Sequence, residues 1–140
     1  MIKLLLPIDG SEASLRAVDR IVASRGWYRE PLEVHVLNVQ RPLPSDVSRF
    51  IPSDQIKGFH HDEGMRALTQ ARAKLEHGAI EHVFHISVGE PGHVVAHYAN
   101  ELHCDEIVMT TGGSGGAIAA LGSIVTLVVQ MTNVPVLLVK

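Results

Sequence analysis

The chain has 140 residues, 46% of them hydrophobic, which is enough for one compact domain with a sizeable core and too little for a two-domain enzyme. Twelve Lys and Arg against 15 Asp and Glu leave a formal charge of −3, so no overall positive field gathers a phosphate backbone, and nucleic-acid binding is disfavoured. Cys104 is the single cysteine; an internal disulfide and multi-cysteine metal centres are excluded, a reducing cytoplasm is suited, and the thiol reads as a small buried apolar group.

Along residues 1–140, read as one domain, strand-length apolar runs alternate with segments of helical period, the signature of βαβ units around a parallel sheet. Ile2 to Ile8 is the first strand; Asp9 follows it closely and no small-residue cleavage pattern is present, so it is not a signal peptide. Ser11 caps a helix with Leu15, Val18, Ile21 and Val22 at helical spacing, ending near Gly26. Trp27 and Tyr28 are expected to anchor the packing after it. The second strand is Leu32 to Val39. Pro42, Pro44 and Pro52 make Arg41 to Asp54 a surface loop, leading into a helix around Gln55 to His77. His82 to Val88 is the third strand, and Gly89, Pro91 and Gly92 open a helix through Leu102. Glu106 to Thr110 is the fourth strand, Ser123 opens and caps a last helix through Met131, and Val134 to Val139 is a fifth strand whose continuous apolar run suits cover by helices.

From Ile107 to Val139 there is no Asp, Glu, Lys or Arg, which raises the question of a membrane span. Its apolar part, Ala117 to Val129, is cut by Gly122 and Ser123 and falls short of the roughly 20 residues a span requires. The region reads as the most buried part of a domain that is not in a membrane.

Ligands of open parallel sheets gather beyond the carboxyl ends of the strands. Those ends are Pro7-Ile8-Asp9-Gly10-Ser11, the segment after Val39, the turn Gly89-Glu90-Pro91-Gly92, and the glycine-rich Thr110 to Ser123. The last is either an anion-binding loop, with backbone N–H groups and a helix N-terminus, or a plain loop over the sheet. A P-loop is excluded because no lysine follows the glycines. The dinucleotide fingerprint is excluded because Ile118 stands at its third glycine, and a phosphoacceptor domain because the third strand ends at Val88-Gly89 with no Asp. Nine histidines, including His60, His61, His93 and His97, show no spacing that completes a metal site and read as solvated helix residues.

Pro7-Ile8-Asp9-Gly10-Ser11, Gly89-Glu90-Pro91, Asp105 to Met109, Leu121-Gly122-Ser123 and the ending Val134-Pro135-Val136-Leu137-Leu138-Val139 together resemble the universal stress proteins over nearly the whole chain. The resemblance implies an α/β doubly wound fold with five parallel strands ordered 3-2-1-4-5 and helices on both faces. It also implies a homodimer and, in one branch, ATP held by a G-x2-G-x9-G-[S/T] loop. The fifth strand would then be an unprotected edge, which pairing of Val134 to Val139 with its own copy would cover. The loop departs from the pattern. With Gly122-Ser123 as its end, Gly112 takes the middle position and Met109 the first; with Thr110 first, Gly113 is in the middle and the spacing is one residue short.

The resemblance further implies that an adenine nucleotide, ATP or AMP, would lie among Pro7, Ile8, Asp9, Val39, Met109, Thr110, Gly112, Gly113, Gly122, Ser123 and Ile124. Val39 would serve the base, Asp9 the nucleoside, and Gly113, Gly122, Ser123 and Ile124 would offer N–H groups to phosphates. The family's basic residues in and after the loop are absent, so the phosphates would meet only backbone dipoles and hydroxyls. An empty or anion-occupied crevice is the competing outcome. The expected role is a non-enzymatic stress-response or regulatory module; the alternative is a weak nucleotide hydrolase using the same crevice.

Overall fold

A computed structural model of the chain describes residues 1–111 and 122–140. Five parallel strands form one sheet: β1 (Ile2–Pro7), β2 (Leu32–Gln40), β3 (Glu81–Val88), β4 (Glu106–Thr110) and β5 (Val136–Val139). Their order is β3-β2-β1-β4-β5, as the family resemblance implied. Among the described residues five α-helices accompany them, α1 (Glu12–Ser24), α2 (Ser45–Ser48), α3 (Ser53–His77), α4 (Pro91–Glu101) and α5 (Ser123–Met131), with a 3-10 turn at Arg25–Trp27.

The alternation of side chains along β1 explains its three fully buried leucines. Leu4 and Leu6 enter a core with Val18 and Ile21 of α1 and Leu68, Ala71 and Leu75 of α3, while Leu5 enters a second core with Val95 and Ala99 of α4 and Val125 and Val128 of α5. A strand covered on both faces needs consecutive apolar residues, and Leu4, Leu5 and Leu6 supply them. On α3, a helix of low overall amphipathicity, His60, Gly64, Leu68, Ala71 and Leu75 are buried, a stripe at intervals of three and four that faces the sheet.

The structure corrects several expectations. The Pro-rich segment is not wholly irregular, because Ser45–Ser48 forms a helical turn and α3 starts at Ser53, its first residues following Pro52; a proline just before a helix start removes no intrahelical bond. β5 begins at Val136, two residues later than expected, since Pro135 has no N–H to give a ladder and Val134 N–H donates to Thr132 Oγ1 instead. Leu137 and Val139 pack against the first core and Val136 and Leu138 against the second, as the apolar run implied, yet all four stay only half-buried because β5 is an edge strand. Trp27 is 72% exposed, its ring lying under the Arg20 guanidinium, and anchors nothing; Tyr28 does pack against the first core, its hydroxyl 3.3 Å from Glu106 Oε1. Cys104 is buried as expected, and burial pushes its thiol up to about 11.

Two glycines of α3 have opposite surroundings. A Cβ on Gly64 would lie 2.7–2.8 Å from three atoms of Ile86 on β3, whereas one on Gly58 would meet nothing. Gly64→Ala is expected to lower stability by about 1–3 kcal/mol through overpacking. Gly58→Ala is expected to raise it by up to about 1 kcal/mol through helix propensity. Denaturant unfolding of both variants checks the opposite signs.

Candidate functional site

Strand order creates the site. β1 lies between β2 and β4, and the chain leaves β1 through α1 toward β2 on one side and returns through α4 to β4 on the other, so a crevice opens at the carboxyl ends of these three strands. It encloses about 400 Å³. Of the residues singled out in the sequence, Pro7, Ile8 and Asp9 line it from β1, Val39 from β2, Met109 and Thr110 from β4, and Gly122, Ser123 and Ile124 from the start of α5. Gly112 and Gly113 lie outside the described residues.

The turn after β1 is built from its own side chains. Gly10 sits at φ +88°, a conformation that L side chains rarely adopt. Asp9 Oδ1 accepts the Ser11 N–H at 2.9 Å and the Ser11 hydroxyl at 2.6 Å, while Ser11 Oγ accepts the Ser14 N–H and caps α1. Burial raises the Asp9 carboxyl, but the hydrogen bonds from the Ser11 hydroxyl and N–H, with a smaller one from Ser14, outweigh it and hold the group below its ordinary value. Beneath the turn, the buried Asn38 carboxamide donates to Ile8 C=O at 2.8 Å and its oxygen accepts from Gln40 Nε2 at 2.7 Å. The floor of the crevice is thereby tied to β2.

At the α5 end, Gly122 is the N-cap and contributes no side chain, so Ser123 is the first helical residue and not the capping one. The first-turn N–H groups of α5 therefore stay available toward the crevice. The sequence reading missed Arg41, which lines the crevice from the first position beyond β2. Its guanidinium donates to Glu90 Oε2 at 3.2 Å. A cation thus lines the crevice, although no Lys or Arg stands in the glycine-rich loop or in α5. Strand alternation held the signal, because Arg41 stands two residues after Val39 and so shares its side.

A second cavity of about 390 Å³ lies between the Pro42 to Ser48 segment, α3 and the end of β3, lined by Lys57, His60 and His61 among apolar side chains. It borders an edge strand only, whereas the crevice gathers three strand ends.

The histidines are not all solvated helix residues. His60 is buried, and His35 and His85 are strand neighbours whose Nδ1 and Nε2 approach to 2.9 Å. Glu33 lies beside His35, Lys3 is near enough to act on it, and the Tyr98 ring of α4 meets His85 edge-on. Among the described residues no three His, Cys, Asp or Glu come together as a metal site, and no helix is long and apolar enough to cross a membrane.

The comparisons with known proteins give the family. The universal stress protein family matches residues 1–140. The chain belongs to the universal stress protein family. It is 29% identical to universal stress protein YxiE of Bacillus subtilis over 147 residues, covering 99% of this chain and 98% of that one. Among solved structures, the hypothetical protein MJ0577 superposes with a TM-score of 0.82 at 27% identity, covering 99% of this chain and 94% of that one. A family member from Arabidopsis thaliana with AMP bound superposes with a TM-score of 0.71 at 16% identity, covering 100% and 92%, and shows the same fold.

Burial lowers both His35 and His85, with Lys3 adding to the effect on His35 against Glu33, and with His35 adding to it on His85. Below the ordinary histidine value of about 6.5 the unfolded chain takes up protons that the folded pair resists, so stability falls as pH drops through that value. Melting temperatures of the wild type should therefore fall more steeply between pH 7 and pH 5 than those of His85→Gln, which has one such group fewer. Equal slopes would contradict the assignment.

Proposed function

We propose that the chain, as a single universal stress domain over residues 1–140, is a non-catalytic stress-response regulator that binds an adenine nucleotide in the crevice. The observation that carries this reading is the convergence of nine sequence-flagged residues, an anion-attracting helix start and one arginine on a single cavity of about 400 Å³, a size suited to a mononucleotide. That the Arabidopsis relative of the same fold holds AMP supports the choice of ligand.

In this reading Pro7, Ile8 and Asp9 face the nucleoside and Val39 offers backbone groups and an apolar surface to the base. Met109 and Thr110 form the wall, and Gly122, Ser123 and Ile124 present N–H groups to phosphate. Gly112 and Gly113 belong to it through the sequence pattern alone. Binding is favoured over hydrolysis by the state of Asp9: a general base works best with a pKa near the working pH, and this carboxylate is held below its ordinary value by its serine hydrogen bonds.

Titration calorimetry with AMP tests the site. A Cβ on Gly122 would meet nothing within 4 Å among the described residues, and its φ of −55° is open to any side chain, so Gly122→Asp adds charge without backbone strain. We expect the wild type to bind AMP, and Gly122→Asp to weaken it at least about tenfold. Unchanged affinity in the variant would put the ligand elsewhere, and no heat at millimolar AMP would remove the nucleotide from the account.

We also propose that two copies pair through β5. Val136–Val139 is an uncharged edge strand, and Val129 and Met131 of α5 are exposed large apolar residues near it in sequence. Such an edge invites a partner strand, and an isologous pairing closes it. Sedimentation should give twice the 15.2 kDa chain mass; a monomer at micromolar concentration would contradict the dimer.

A further inference from the structure

The described lining of the crevice includes two ionised side chains, Asp9 and Arg41. They differ in how firmly they are held. Asp9 accepts two hydrogen bonds within its own turn, whereas the contact of Arg41 with Glu90 joins side chains that are 63% and 51% exposed. Glu90 stands at the N-cap position of α4 yet makes no side-chain capping bond, so its carboxylate is available as a counter-ion. An exposed pair of this kind contributes little and exchanges readily.

We propose that Arg41 reads the charge of the ligand, leaving Glu90 for the phosphate of the bound nucleotide; this rests on the nucleotide reading above. A phosphate offers several oxygens to the planar guanidinium fork, and inside a partly enclosed crevice that contact is stronger than an exposed ion pair. Arg41 and the first residues of α5, Gly122 to Ile124, line the same crevice, so the guanidinium and the helix N–H groups border one space. Glu90 then holds the guanidinium at the mouth until an anion competes for it. The backbone of Val39 two residues earlier and the hydrogen bond from Gly89 N–H to Gln40 C=O at 2.9 Å fix both partners at the rim.

Calorimetric titration of adenosine and AMP into the wild type, Arg41→Met, Glu90→Gln and the double variant tests this. Arg41→Met should weaken AMP about tenfold or more while leaving adenosine within about twofold, since only AMP carries the group that Arg41 meets. Glu90→Gln should tighten AMP by up to about fivefold, and that gain should vanish in the double variant because it acts through Arg41. Equal losses for adenosine and AMP would overturn the proposal, as would a Glu90→Gln gain that persists without Arg41. Adenosine binding in each variant also reports that the crevice is folded. If the wild type binds neither ligand, the nucleotide reading fails and the proposal with it; if it binds both and the variants do not discriminate, only the role of Arg41 fails.

Discussion

The position of β1 at the centre of a parallel sheet is the constraint on which the rest of the molecule depends. Its three leucines are fully buried because each face is covered by a different pair of helices, and covering both faces requires the chain to leave toward β2 and to come back at β4. The same requirement pulls the connections apart at the carboxyl end of β1 and leaves a crevice there. Core and site are consequences of one topological choice.

What the crevice can do follows from how its polar groups are spent. The Asp9 carboxylate and the Ser11 side chain satisfy each other and cap α1, and Asn38 satisfies the Ile8 carbonyl, so this end is rigid and already paired. The start of α5 has no side-chain cap, and among the described residues the guanidinium of Arg41 is held by one exposed carboxylate. Donors therefore face the crevice from two sides, while Oδ1 of its carboxylate, Asp9, is already hydrogen-bonded within its own turn. Such a distribution favours holding an anion over moving a proton.

Much of this was legible in the sequence. The strand runs, the Ser11 cap and the helical stripes are local patterns, and local patterns survive folding when tertiary contacts agree with them. The strand order came from motif resemblance, since periodicity does not say which strands are neighbours. What the sequence hid is what depends on register. His35 and His85 are 50 residues apart and meet because β2 and β3 pair Leu37 with His85. Arg41 meets Glu90 because Gln40 pairs with Val88. Trp27 was misplaced because aromatic character says nothing about which end of a helix faces solvent. Apolar continuity was equally blind to the edge, since Val136–Val139 is an unbroken apolar run yet stays half-buried, whereas Leu4 to Leu6 of β1 are fully buried.

The most direct measurement is amide chemical-shift mapping of the isotopically labelled protein as AMP is added. The largest shifts are expected on Ile8, Asp9, Val39, Thr110 and Gly122 to Ile124, with the cavity around His60 and His61 unaffected. Shifts centred on that second cavity, or no shifts at millimolar AMP, would contradict the crevice as the nucleotide site.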